Sequence, residues 1–200
     1  MKIGVLAVQG AFIEHEKMLE ALGAECIELR KKEDITDNEL DGLVFPGGES
    51  TVQGKLLREL DMFDDIKKLI EEGKPVLATC AGLILLADHI AEDSTVHLAS
   101  LPVRVKRNAY GRQLGSFVRK EKVKGLGEFE MTFIRAPYIE KTESEEVEVL
   151  AEVDGKIVAV QYRNQIALSF HPEMGQDMRI HEKFLKLVRS KKGESFIKSA

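Results

Sequence analysis

A short apolar run from Val76 to Ala87, with a single thiol at Cys80, constrains the fold of this chain more than any other stretch. The run carries no charge, and it is too short to cross a bilayer as a helix, which takes about 20 residues. Val76 to Thr79 predicts a buried strand, and the small and aliphatic residues after Cys80 predict a helix. The sequence therefore predicts a sharp strand–turn–helix elbow at Cys80.

Such an elbow suits a nucleophile. It exposes a side chain at the carboxyl end of a sheet, where the amino end of the next helix stabilises a thiolate. The Ala81 N–H would then face a developing oxyanion, and the small residues Ala78 and Gly82 allow neighbouring backbone to come close. A buried structural cysteine at a strand–helix junction fits the same residues, so the run alone leaves both interpretations open.

Length and composition indicate an ordinary soluble globular protein. The 200 residues suit one domain over residues 1–200, with a frayed tail from about residue 190. A net charge of −5 argues against a nucleic-acid-binding or membrane-surface protein. Two cysteines form no disulfide framework, and Met1 leads directly into a strand rather than a signal peptide, so we expect a cytoplasmic protein.

The amino-terminal half has the pattern of a parallel sheet covered by helices. Apolar runs bounded by glycines predict buried strands at Lys2 to Val8, Ala24 to Leu29, Gly42 to Phe45 and Val76 to Thr79. Helical spacing of apolar residues predicts helices at Phe12 to Leu22, Val52 to Leu60 and Met62 to Glu72. This order predicts a doubly wound, flavodoxin-like sheet with ligands at the carboxyl ends of its strands.

The pattern changes after His89. Alternating or apolar segments predict strands at Thr95 to Val105, Gly115 to Val123, Glu128 to Ala136, Val147 to Val153, Lys156 to Tyr162 and Ile166 to Phe170. The acidic stretch Glu140 to Glu148 predicts an exposed loop, and Met178 to Val188 a terminal helix. The predicted fold class is α/β: a mostly parallel central sheet flanked by helices, with an additional antiparallel or mixed strand region.

A candidate base and its orienting acid follow the last predicted strand. Pro172 favours an extended conformation at His171, and residues two apart in an extended segment point the same way. The Glu173 carboxylate can therefore reach the His171 ring and hold its tautomer. With Cys80 at another strand end, the parts of a Cys-His-acid triad are present.

Other polar segments are less specific. The glycine-rich loop Pro46 to Thr51 follows a strand, but it lacks the Gly-Lys-Ser/Thr of a phosphate loop and carries Glu49, so it suits a polar or zwitterionic ligand or is an ordinary connection. Arg107 lies in a basic segment that either holds a carboxylate or is a solvated loop.

The remaining histidines have no acid at a matching spacing and are interpreted as structural or surface residues: His15, His89, His97 and His181. Without a Cys-x-x-Cys pair, a zinc site is disfavoured.

Three segments occur together: Thr79-Cys80-Ala81-Gly82, the loop Pro46 to Ser50, and His171-Pro172-Glu173. Together they resemble the class I, triad-type glutamine amidotransferases. Three more segments, Gly4 to Phe12, Arg107 to Gln113 and Phe133 to Pro137, resemble in particular the glutaminase subunits of pyridoxal 5′-phosphate synthases. The class pattern at the nucleophile is Gly-x-Cys-x-Gly, and this chain departs from it only by Ala78 at the first glycine.

The resemblance implies hydrolysis of L-glutamine to L-glutamate and ammonia through a Cys80 thioester, with His171 as acid and base and Glu173 as its orienter. It implies an oxyanion hole from the backbone N–H groups of Gly48 and Ala81. The implied glutamine-binding residues are Gly47, Gly48, Glu49, Arg107, Ile134 and Arg135.

By the same resemblance, no cofactor or metal is required. The ammonia would pass to a (β/α)8-barrel synthase subunit in a hetero-oligomer, for pyridoxal 5′-phosphate (vitamin B6) biosynthesis. The glutaminase would be activated on docking, with Gln9 and Gly10 near the interface.

Three alternatives stay open on the sequence. One is a glutaminase subunit for another pathway, such as imidazole glycerol phosphate or purine synthesis. A second is a stand-alone cysteine peptidase-like hydrolase, and a third is a non-catalytic regulatory subunit. The intact set of Cys80, His171 and Glu173 argues against the third, because a silent subunit has no physical need of all three.

Overall fold

The computed structural model of the protein describes the backbone of residues 1–107 and 115–198, and side chains through residue 193. The helices are α1 (Phe12–Ala21), α2 (Lys32–Thr36), α3 (Ser50–Glu59), α4 (Phe63–Glu71), α5 (Ala81–Leu86) and α6 (Arg179–Lys198). The strands of the first half are β1 (Lys2–Leu6), β2 (Glu25–Leu29), β3 (Gly42–Phe45), β4 (Val76–Thr79) and β5 (Ala87–Ile90). Those of the second half are β6 (Leu101–Lys106), β7 (Ser116–Val123), β8 (Gly127–Ile134), β9 (Tyr138–Thr142), β10 (Glu148–Val153), β11 (Lys156–Tyr162) and β12 (Gln165–Leu168).

One sheet organises the described chain. Its order is β2-β1-β3-β4-β12-β11-β9-β6-β5, and β10 pairs with β11 beside this path. The strands β2, β1, β3, β4 and β12 are parallel, whereas β12-β11, β11-β9 and β9-β6 are antiparallel. The 2-1-3-4 order continued by β12 is that of a flavodoxin-like sheet. The α/β fold with a mostly parallel centre and an added antiparallel region is confirmed.

Alternate residues along the central strands bury opposite faces of the sheet, as a period of two requires. On β4, Val76 and Ala78 join the cluster that includes residues of α2 to α5. Leu77 lies in the other cluster, with Phe184 of α6 and Phe129 of the β7–β8 hairpin. Both faces of the parallel strands are therefore covered, which explains their nearly continuous apolar sequence.

The strands β5 and β9 differ from the sequence prediction because neighbouring strands, rather than local pattern, determine them. The helix after Cys80 ends at Leu86, and Ala87–Ile90, which includes His89, is an edge strand parallel to β6. Tyr138–Thr142 is also a strand, although its second half falls in the stretch predicted as a loop. Ile139 of this strand is buried and pairs with both β6 and β11.

The carboxyl-terminal helix is longer than predicted. The apolar pattern predicted an end at Val188, but α6 continues to Lys198 through most of the segment expected to fray. In the described residues, no helix combines the length and the apolar composition needed to span a membrane.

Candidate active site

A cleft of about 410 Å³ opens at the carboxyl ends of β1, β3 and β4. This is the edge at which parallel α/β sheets bind ligands. Cys80 and His171 line the cleft. Six residues of the predicted substrate site also line it: Gly47, Gly48, Glu49, Arg107, Ile134 and Arg135. Glu173 lies behind the wall of the cleft, 4% exposed.

Cys80 occupies the predicted elbow between β4 and α5. Its backbone has φ 48° and ψ −98°, a conformation that is strained for a residue with a side chain. The Cys80 N–H donates to the Leu168 carbonyl at 2.8 Å, which ties the turn to the neighbouring strand β12. Ala81 begins α5, so its N–H has no acceptor within the helix. The elbow thus presents a thiol and, beside it, a backbone donor that the helix does not use.

His171 and Glu173 are in contact, as their spacing predicted, but the backbone between them is not the extended segment that was predicted. Nδ1 of His171 lies 2.6 Å from Oε1 of Glu173. His171 has φ −108° and ψ 88°, outside the extended conformation predicted for it, and Pro172–Met174 forms a 3₁₀ turn that brings the carboxylate back to the ring. The His171 N–H donates to the Thr132 carbonyl at 2.8 Å, so β8 fixes the start of this turn. The other ring nitrogen of His171 is left for Cys80.

The surroundings favour a protonated His171 and an ionised Glu173. Burial alone would lower the pKa of His171, but hydrogen bonds with Cys80 and Glu173 outweigh it and raise the pKa to about 10. Burial alone would raise the pKa of Glu173, but His15 and His171 outweigh it and hold the pKa below its usual value. The site therefore stabilises the imidazolium that forms when His171 takes the Cys80 proton.

The loop after β3 packs against the triad and is held by two glutamine side chains. Oε1 of Gln9 accepts from the Glu49 N–H at 2.8 Å, and Nε2 of Gln53 donates to the carbonyls of Gln9 and Pro46. The Ala11 N–H donates to the Gly47 carbonyl at 3.1 Å. In the described chain these contacts do not use the Gly48 N–H, the second donor predicted for the oxyanion hole.

Charged groups surround the mouth of the cleft. Nη1 of Arg107 lies 3.2 Å from Asp93, while its Nε and Nη2 are buried without a hydrogen-bond partner among the described residues. Arg135 has φ 43°, and its guanidinium lies 3.5 Å from the Glu49 carboxylate. The Ile134 carbonyl lies 3.9 Å from Cys80 Sγ. The rest of the basic segment after Arg107, residues 108–113, lies outside the described residues.

The sequence prediction missed His15 as a neighbour of the triad. His15 is fully buried on α1, and its Nε2 lies 3.3 Å from Oε2 of Glu173. Its Nδ1 lies 2.9 Å from Nε2 of His181 on α6, which is also fully buried. The acid partner of His15 comes from the far end of the chain, so spacing could not reveal it. The available signal was a histidine on the apolar face of the helix that follows β1.

No group of three or more His, Cys, Asp or Glu side chains suited to holding a metal ion occurs among the described residues.

Comparison with known proteins gives consistent results. The SNO glutamine amidotransferase family matches residues 5–190. A pyridoxal 5′-phosphate synthase subunit PdxT from Desulfitobacterium hafniense (strain DSM 10664 / DCB-2) is 62% identical over 196 residues, covering 98% of this chain and 96% of the relative. A protein of the same name from Streptococcus pneumoniae (strain CGSP14) is 50% identical over 194 residues, 96% of this chain and all of the relative. A solved structure described as a glutamine amidotransferase superposes with a TM-score of 0.87 at 45% identity, covering 93% of this chain and 98% of that one.

Proposed function

The chain belongs to the SNO glutamine amidotransferase family, and we propose that it is the glutaminase subunit of a pyridoxal 5′-phosphate synthase. In this proposal it hydrolyses L-glutamine to L-glutamate and ammonia and delivers the ammonia to a synthase subunit. The observation that carries the activity is the chain of contacts from Cys80 through His171 to Glu173. Relatives named as subunits of that synthase cover nearly the whole chain and support the pathway.

The chemistry follows the order of these contacts. His171 takes the Cys80 proton, and the thiolate attacks the side-chain amide carbon of glutamine. The resulting oxyanion accepts hydrogen bonds from the N–H groups of Ala81 and Gly48. His171 then protonates the departing nitrogen, which leaves as ammonia and yields a thioester. Water, deprotonated by His171, attacks the thioester and releases glutamate and the Cys80 thiol.

The polar groups at the cleft mouth match the two charges of an amino acid. The buried Nε and Nη2 groups of Arg107, which lack partners among the described residues, suit the α-carboxylate. The Glu49 carboxylate suits the α-ammonium group, in exchange for its long, exposed contact with Arg135. Ile134 and the Gly47–Gly48 backbone complete the proposed glutamine site.

A partner fits the open side of the site. Ammonia must leave through the cleft, whose rim includes Gln9, Gly10 and the loop that Gln9 holds. We place a (β/α)8-barrel synthase subunit over this rim, so that docking positions the loop with Gly48 and activates the glutaminase. Activity is then expected to be low for the isolated chain and high in the complex.

The experiment is ammonia release from glutamine by the purified chain, with and without the synthase subunit. Cys80→Ala is expected to abolish ammonia release in the complex while complex formation persists, because only the nucleophile is lost. Cys26→Ala is the matched control, since Cys26 is a half-buried thiol away from the cleft, and it should retain wild-type activity. Full activity of Cys80→Ala would refute the proposal.

A further inference from the structure

The triad continues behind Glu173 into a buried chain of polar side chains. His171 holds Oε1 of Glu173, and His15 approaches Oε2 at 3.3 Å. Oε2 is buried and makes no formal hydrogen bond among the described residues, so the His15 ring is the neighbour that can supply its donor. A carboxylate oxygen in such a place needs a donor, because burying it unpaired is costly.

The contacts of His15 determine which of its ring nitrogens carries the proton. Nε2 lies between Oε2 of Glu173 and the Thr79 hydroxyl, at 3.3 and 3.2 Å. An ionised carboxylate can only accept, so Nε2 of His15 is the protonated nitrogen. Nδ1 of His15 then accepts from Nε2–H of His181, at 2.9 Å. This arrangement keeps His15 neutral, in agreement with its burial, which lowers its pKa although the charge of Glu173 acts in the opposite direction.

We propose that His15 is a positioning residue of the triad: its Nε2–H holds Oε2 of Glu173, so that Oε1 stays aimed at Nδ1 of His171. The proposal rests on the proposed glutaminase function and adds a member to its machinery. His15 also contacts Thr79, the residue before Cys80, and it therefore joins both arms of the site. Loss of its donor should let the carboxylate turn away from His171 and weaken the support of the imidazolium.

The charged and titratable groups near Glu173 come from three elements. His171 faces it from the same turn, His15 faces it from α1, and His181 acts on it through His15 from α6. Glu14 and Lys17 of α1 line a neighbouring cavity that also reaches Glu173. Of these groups, His15 is the one whose replacement removes a donor from Oε2. Removing it should raise the pKa of Glu173, so that the carboxylate is protonated at a higher pH than in the wild type.

The test compares two amides that differ in reach. The side-chain nitrogen of Gln imitates Nε2 of histidine, whereas the shorter Asn imitates Nδ1 and falls short of Glu173. In the complex with the synthase subunit, His15→Asn is expected to lower kcat for ammonia release by about tenfold with little change in KM. The acid limb of its pH profile should move to higher pH. His15→Gln should have a kcat within about threefold of wild type, and the acid limb of its pH profile should lie close to that of the wild type.

Leu19→Ala is the stability control. Leu19 lies one turn after His15 on the buried face of α1, and its side chain belongs to an apolar cluster. Leu19→Ala should lower the melting temperature without moving the acid limb of the pH profile for ammonia release. Equal kcat and equal acid limbs for the Asn and Gln variants would overturn the proposal, as would a limb shift in Leu19→Ala that matches His15→Asn.

A second readout separates this proposal from the proposed function. The rate of Cys80 alkylation by iodoacetamide against pH follows the state of the triad without glutamine. A wild-type complex that releases no ammonia would refute the glutaminase function. The alkylation profile of His15→Asn, shifted to higher pH relative to His15→Gln, would still support the positioning role, and identical profiles would overturn it.

Discussion

At the scale of single residues, two glycines are required because neighbouring atoms occupy the space of a side chain. A Cβ on Gly82 would lie 2.2 Å from the Phe45 carbonyl oxygen, which is backbone and cannot give way cheaply. A Cβ on Gly47 would lie 2.2 Å from Cε1 of His171. The first contact fixes the elbow against β3, and the second sets the imidazole directly against the loop of the proposed oxyanion hole.

The Gly47 contact gives a prediction about activity. Gly47→Ala should push the His171 ring away from Cys80 and lower kcat for ammonia release by about 100-fold, because small misplacements of reacting groups have large effects on rate. Its melting temperature should stay within a few degrees of wild type, since a side chain yields rather than backbone. Gly193→Ala, at an α6 position with open space around it, is the control. Unchanged kcat in Gly47→Ala would show that the ring does not need this position.

Several site residues were predictable because chemistry and local spacing identify them. Cys80 is marked by its elbow, and His171 and Glu173 by the proline between them. His15 was not predictable in the same way, because its partner Glu173 is remote in the sequence and is brought near by the sheet. The departure at Ala78 has a simple structural setting: Ala78 is fully buried within β4, two residues before the strained turn.

At the scale of elements, helices α1 and α6 each contribute a buried histidine behind the site. Burial together with the nearby His15 lowers the pKa of His181 to about 3. His181 therefore stays neutral in the folded protein at pH values at which it is protonated in the unfolded chain, where its pKa is near 6.5. Stability linked to His181 is present above pH 6.5 and is lost as the pH falls from there towards about 3.

This linkage predicts how a variant of α6 responds to acid. His181→Leu should flatten part of the fall in melting temperature between pH 6.5 and 4, because leucine takes up no proton on unfolding. His89→Leu, which replaces an exposed histidine of β5, is the matched control and should keep the wild-type slope. Thermal melts across this pH range measure both. A wild-type slope in His181→Leu would contradict the assignment of His181 as a buried neutral imidazole.

The parallel half of the fold was predictable at this scale, whereas two antiparallel or edge elements were not. The strands β1, β3 and β4 are nearly continuous apolar runs, so they are recognisable from sequence alone. Strand β9 contains the charged residues Glu140 and Lys141 and depends on its pairing with β6 and β11. Strand β5 follows α5 without a break, and its pairing with β6 rather than a local stop signal ends the helix.

At the scale of the whole molecule, the sheet assembles a site from remote parts of the chain. Each of four neighbouring parallel strands is followed by a residue of the site: β1 by Gln9, β3 by Gly47, β4 by Cys80 and β12 by His171. The order β1-β3-β4-β12 places these strand ends side by side. Covering both faces of the sheet leaves its carboxyl edge as the place where polar groups converge. We propose that this convergence makes Cys80, rather than Cys26, the nucleophile.

Covalent labelling with a glutamine-analogue electrophile, read by mass spectrometry, distinguishes the two cysteines. The labelling uses the complex with the proposed synthase subunit, and excess glutamine should protect the labelled site. Burial, together with the nearby Glu16, raises the pKa of Cys26 to about 12, so Cys26 offers little thiolate at neutral pH. The predicted result is one label, on Cys80, that is lost in Cys80→Ala; labelling of Cys26 in its place would contradict the account.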